Sequence, residues 1–163
     1  MPSPLWDFAL EKYRLPHLAD LCIQLQDEHD ASVCELLWTA WLADQGRQID
    51  AQALADYRLL RQGLYLSIIR LRGARRLLEL DPATRELGRQ TRPLEIEAEK
   101  HLLAELEHLA SQPLTEDPFH ALHKTRSVLG LEPNADAQRL YTQLTEQLAL
   151  AGVQIDSPHK ESP

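Results

Sequence analysis

Glu105 and His108 stand three residues apart in a leucine-rich stretch, the i, i+3 spacing by which helical bundles offer a carboxylate and an imidazole to a pair of metal ions. Such a centre needs a second Glu-x-x-His pair and two further inward glutamates. The other candidate groupings, Asp27-Glu28-His29-Asp30 and His120 with His123, do not supply them. On a helical wheel Glu97, His101 and His108 lie opposite Ile96, Leu102, Leu103 and Leu106, which turns them to water. The 27–30 run lacks the alternating acids and glycine of a calcium loop and reads as a helix end entering a polar turn. No metal or cofactor is expected.

Nucleophilic and nucleotide chemistry finds equally little. The chain has no GxSxG, no glycine-rich phosphate loop and no HExxH. Cys22 and Cys34 have neither CxxC nor zinc-ligand spacing, and each falls in an apolar stretch, so both read as buried thiols. An enzyme is the weaker expectation, although a pairing of groups distant in sequence stays open.

Arginine carries the one strong pattern. In YLSIIRLRGARRLLELD, residues 65–81, four arginines fall within seven positions of a chain whose formal charge is −8. Residues 58–92 hold nine arginines against Glu79, Asp81 and Glu86, a local charge of +6, which leaves −14 for the remainder. If the helix is unbroken, Arg58, Arg61, Arg72, Arg75 and Arg76 share about 100° of its surface over about 27 Å. Leu59, Leu60, Leu66, Leu71, Ala74, Leu77 and Leu78 take the opposite arc. Three readings compete for the stripe. It can be neutralised within the chain by the helix bearing Glu95, Glu97, Glu99, Glu105 and Glu107; it can dock an acidic protein partner, for which the planar guanidinium is suited; or it can follow the phosphates of RNA, as in a ribosome-associated protein. Arg70 falls in the apolar arc. It either forms a buried ion pair with Glu95 or Glu99 or reaches to water from the edge of the arc.

The elements that position these residues are helices. With 163 residues, 44% hydrophobic and 26% charged, the chain has the composition of one globular domain. Its prolines stand between segments of helical periodicity, and strand signals are nearly absent. The expected fold is all-α. Residues 1–49 form a three-helix cluster: one helix over 4–13 capped by Ser3, one over 16–29, and a central helix to Asp44 opened by Asp30 or Ser32. Within 33–43 only Glu35 and Thr39 are polar, so Trp38 and Trp41 anchor a helix covered on nearly all sides. Residues 50–112 form a long antiparallel hairpin, with one arm opened by Asp50 and bent near Gly63. A connector of 80–92 follows, with a turn of helix that Gly88 ends, and the second arm starts at Pro93. Residues 113–155 form a helix pair, opened by Asp117 and by Asn134 or Asp136, and 156–163 a frayed tail. The start, MPSPLWDF, has no basic n-region and no apolar h-region, so no signal peptide is expected, and no apolar run approaches the ~20 residues of a membrane span. A cytoplasmic protein is expected.

Residues 5–43, LWDFALEKYRLPHLADLCIQLQDEHDASVCELLWTAWLA, resemble the opening of a bacterial, largely proteobacterial family, domain of unknown function family 2390. Leu5, Trp6, Asp7, Phe8, Tyr13, Leu25, Gln26, Asp27, Trp41 and Leu42 carry the resemblance. Leu71, Arg72, Arg75 and Arg76 fit its Leu-Arg-x-x-Arg-Arg segment, and Glu95 and Glu99 fall in its later acidic helix. Cys34, Glu35 and Trp38 depart from its pattern. The resemblance implies a helical fold and supplies no activity. The function expected is therefore non-catalytic: an adaptor or regulatory protein binding an acidic protein partner through Arg58, Arg61, Arg72, Arg75 and Arg76. The alternatives are RNA or ribosome association and a helical enzyme or metal protein. No membrane partner is expected, and a homo-oligomer stays open.

Overall fold

The computed structural model describes residues 3–155; the tail expected over 156–163 lies outside them. The fold is all-α, with helices α1 Pro4–Tyr13, α2 Pro16–His29, α3 Val33–Asp44, α4 Ala51–Leu60, α5 Leu66–Leu80, α6 Arg85–Glu107, α7 Pro118–Val128 and α8 Ala135–Leu150. The starts follow from side chains that satisfy the first free amides. Ser3 accepts from Trp6 N, Ser32 from Glu35 N, Asp50 from Ala53 N, Asp117 from His120 N and Asn134 from Ala137 N. Asp30, the other candidate for the start of α3, instead ends α2 in the left-handed region at φ 53°.

Helix α3 is the centre, packed by α1, α2, α6 and α7. Leu36, Trp38, Ala40 and Leu42 are buried, and the Trp38 ring stacks on Tyr57 at 5.8 Å. Each large apolar side chain buried there contributes about 1.5–3 kcal/mol. Cys22 and Cys34 are buried free thiols. Burial pushes Cys22 up to about 12 and raises Cys34 further, which keeps both protonated and unreactive. One apolar cluster runs from Leu5 to Ile155, so the C-terminal helices complete the same core. Among the described residues no helix is long and apolar enough to cross a membrane.

Three local departures from the sequence expectation have physical causes. Arg47–Ile49 (β1) and Ser111–Pro113 (β2) pair antiparallel, tying the loop after α3 to the segment after α6; three-residue strands carry too little periodicity to be read. The first hairpin arm is interrupted by a π-helical turn, Arg61–Tyr65, which includes Gly63. The second arm does not begin at Pro93. Helix α6 runs through Gly88 and through Pro93, which sits on the exposed side, where a missing backbone donor leaves no buried carbonyl stranded. Gly88 is a contact point rather than a stop. A Cβ there would lie 2.7 Å from Glu79 Cγ and 3.1 Å from the backbone of Arg75 and Glu79, so glycine sets how closely α5 and α6 approach.

Candidate functional site: an ion-pair network between the hairpin arms

Four of the five stripe arginines are held by carboxylates of the same chain. The π turn aims Arg61 at Glu35, the lone acid of the apolar run 33–43 in the central helix. Arg61 Nε donates to Oε1 at 3.1 Å and Nη2 to Oε2 at 3.2 Å, while the guanidinium lies over the Tyr65 ring at 4.5 Å. About two turns beyond the π segment, Arg72 Nε donates to Glu95 and Nη2 to Glu99, both at 3.0 Å. Arg75 Nε donates to the other oxygen of Glu95 at 2.7 Å and Nη1 to Glu79 at 3.1 Å. Arg92, which sequence reasoning did not single out, adds a third guanidinium to Glu95 at 3.0 Å. Arg76 Nη2 reaches Asp27 at the end of α2, at 2.6 Å. Arg58 makes no ion pair among the described residues.

The buried ion pair expected for Arg70 forms with other arginines. Glu95 is fully buried and Glu99 largely so, as their wheel positions imply, but Arg70 is exposed and pairs with neither. The reason is an inversion of the hairpin. Residues Arg72, Arg75 and Glu79 face α6, so the charged arc points inward and much of the apolar arc points out. Leu77 and Leu80 are 71% and 77% exposed, Leu66 and Ile69 about half that, and between Gly73 and Leu94 only Gly88 is buried. Periodicity gives the two arcs and not which of them the rest of the chain covers.

Electrostatics separate the three acids. Burial raises Glu95, but hydrogen bonds from Arg75 and Arg72 and the charge of Arg92 outweigh it and hold the carboxyl below its ordinary range. For Glu99 burial wins, and its carboxyl is raised despite Arg72. Glu35 is raised by burial too, against the pull of Arg61.

A cleft of about 260 Å³ opens beside the network, between α1, α2, α3, α5 and α6. Trp6, Leu10, Val33, Leu37 and Ile96 form apolar walls, and Tyr13, Gln26, Arg72, Arg92 and Glu99 add polar groups. Trp6, Tyr13, Gln26, Arg72 and Glu99 are among the residues that carry the family resemblance, so positions far apart in sequence converge on one cleft. Elsewhere Glu28, His29 and Asp136 bring three donor atoms within 4.8 Å at the surface, where His29 bonds Asp136 at 2.9 Å. Asp136 on α8 could not be matched to the 27–30 run by sequence. His101, His108 and Glu97 are exposed as the wheel implies.

A further buried charge gave no sequence signal. Arg126 on α7 is almost fully enclosed against the Tyr141 ring, with Nη1 bonded to Thr145 at 2.7 Å and with Nε and Nη2 lacking protein partners among the described residues.

No curated protein and no solved structure matches the chain. The family model described as "Protein of unknown function (DUF2390)" matches residues 4–106, which span α1 to α6 and include the hairpin network and every residue lining the cleft. The chain therefore belongs to that family.

Proposed function

We propose that the protein is a non-catalytic binding protein that docks an acidic, amphipathic helix of a protein partner on the outer face of α5. The observation that carries this reading is the inverted hairpin: Arg72 and Arg75 are turned onto α6, and Leu66, Ile69, Leu77 and Leu80 are exposed along one side of α5. Exposed apolar stripes of this kind are the usual seat of a partner helix. Arg70, unpaired among the described residues, borders the stripe and gives it a preference for acids. The docking surface is thus displaced from the arginine stripe itself. Engagement of Arg61, Arg72, Arg75 and Arg76 by internal carboxylates weighs against phosphate binding by that stripe, because each guanidinium would have to abandon a formed pair.

A second copy of the chain is the other reading, favoured by one specific observation. Leu66, Ile69, Gly73, Leu77 and Leu80 are symmetric about Gly73, so two α5 helices crossing antiparallel would pair Leu66 with Leu80 and Ile69 with Leu77. A two-fold interface requires such self-complementarity, and no atom lies within 4 Å of a Cβ built on Gly73.

Fluorescence anisotropy with a labelled helical peptide of leucine and glutamate heptads, beside its leucine and lysine counterpart, tests the proposal. The acidic peptide should bind the wild-type protein, bind more weakly as salt rises, lose binding to Leu77→Ser/Leu80→Ser and weaken with Arg70→Glu. Equal binding of both peptides, or binding that ignores these variants, overturns it. A wild-type dimer by light scattering that becomes monomeric on Gly73→Leu selects the second copy instead.

A further inference from the structure

The cleft beside Glu99 has a different surface and a different chemistry from the outer face of α5. Its walls come from five helices and are mostly apolar, with Trp6 and Leu10 of α1 opposite the α3 and α6 side chains Leu37 and Ile96. Its polar groups are concentrated: Tyr13, Arg72, Arg92 and Glu99 lie within electrostatic reach of one another. The network leaves several of their atoms unused among the described residues. Arg92 donates to Glu95 through Nη1 alone, Arg72 uses Nε and Nη2, Glu99 accepts through Oε1 alone, and Tyr13 Oη and the Gln26 amide make no hydrogen bond. An apolar chamber with a few convergent polar groups is the form small-molecule sites take.

We propose that this cleft binds a small monocarboxylate with a short apolar body, held by Arg92 and Tyr13 at the carboxylate and by Trp6, Leu10 and Ile96 along the body. The choice of anion follows from what the cleft offers. Most of the free atoms are donors, on Arg72, Arg92, Tyr13 and Gln26, and a guanidinium edge fits a carboxylate with two parallel bonds. An ammonium would have only the second oxygen of Glu99 to meet and would sit beside two arginines. The Arg72 guanidinium, bonded to Glu99 at 3.0 Å, offsets that carboxylate's repulsion of an incoming anion. The volume of about 260 Å³ is large enough for a body of about six carbons.

Hexanoate, hexylammonium and hexanol share one body and differ in the head group. Titrated into the full-length protein and followed by the indole N–H resonance of Trp6, hexanoate should bind saturably, at least tenfold more tightly than either of the others. Arg92→Gln should weaken hexanoate at least tenfold, and Leu10→Trp, at a partly exposed position on the wall, should block the chamber. Both variants keep their fold by circular dichroism if these losses belong to the site. Leu77→Ser/Leu80→Ser, on the outer face of α5, should bind hexanoate as the wild type does. Three results would each overturn the proposal: no saturable binding of hexanoate, equal affinity for hexylammonium, or hexanoate binding that survives both cleft variants.

Discussion

Arg72 spans the two acids of α6 that stand one turn apart, giving Nε to Glu95 and Nη2 to Glu99 at 3.0 Å each, and so links the hairpin arms at the level of the cleft. Arg70, two residues earlier on α5, points the other way and touches no acid among the described residues. Of these two neighbours only Arg72 ties the hairpin arms together.

Arg72→Ala should be far more destabilising than Arg70→Ala. Removing Arg72 leaves Glu95, whose side chain is 1% exposed, short of one of three guanidinium partners and Glu99 with none, a loss of about 3–5 kcal/mol for a broken buried pair. Arg70→Ala should stay within about 0.5 kcal/mol of wild type. Arg76→Ala removes a pair whose side chains are each about half exposed and should cost about 0–1 kcal/mol. Urea midpoints of the three variants measure the order; equal midpoints for Arg70 and Arg72 would contradict the network.

Glu95 and Glu99 should respond to pH with opposite signs. The folded pKa of Glu95 is depressed, so its contribution is fully present above the unfolded value of about 4.3 and is lost as pH falls through the folded one. Glu95→Gln should therefore be destabilised at pH 7 and approach wild type in acid. The folded pKa of Glu99 is raised, so folding gains as pH drops through that value toward about 4.3. Glu99→Gln should then match or exceed wild type at pH 7 and lose that advantage in acid. Urea melts from pH 3 to 7 give both curves.

Arg61→Ala should unfold at lower denaturant than wild type by about 3–5 kcal/mol, because Glu35 has a 1% exposed side chain and no other cation partner among the described residues. The double variant Arg61→Ala/Glu35→Gln should recover part of that loss, since the stranded charge goes with the acid. A double variant no more stable than Arg61→Ala would mean that Glu35 is neutral in the fold.

Gly88→Ala and Gly73→Ala should separate in sign. An alanine at 88 presses on Glu79 and on the Arg75 carbonyl, and the spreading of the arms should cost about 1–3 kcal/mol. At 73 the space is open and the backbone helical, so alanine should stabilise by about 0.5–1 kcal/mol. Thermal melts of the two variants decide it.

Arg126→Met should leave stability unchanged or raise it. Burial pulls the pKa of Arg126 down to about 10, and two of its three nitrogens lack protein partners among the described residues, so an apolar chain of similar length forfeits little and avoids desolvating a charge. A loss above about 3 kcal/mol would show that buried water satisfies those nitrogens.

The sequence by itself determined most of the helices, because that information is local, and missed the start of α6, where Gly88 and Pro93 lie inside the helix. Ser3, Ser32, Asp50, Asp117 and Asn134 announce helix starts by capping chemistry, and the nearly unbroken apolar run 33–43 can only be a covered helix, which is why Trp38 ends up in the core. The wheel also placed Glu95 and Glu99 on the side of Leu102 and Leu106, and so in the interior. What it could not supply is the facing of the hairpin. An arc of arginines and an arc of leucines are equally regular, and which one turns inward depends on acids at distant positions: Glu35 on α3, Asp27 on α2 and Glu95 on α6. Only the tertiary structure brings those acids to the arginines, with the π turn at 61–65 rotating Arg61 onto Glu35 and the glycine at 88 letting the arms close on the Arg72–Glu95 pair. The cleft is of the same kind, made of side chains from five helices whose meeting is a property of packing, where long-range contact rather than local periodicity sets the geometry.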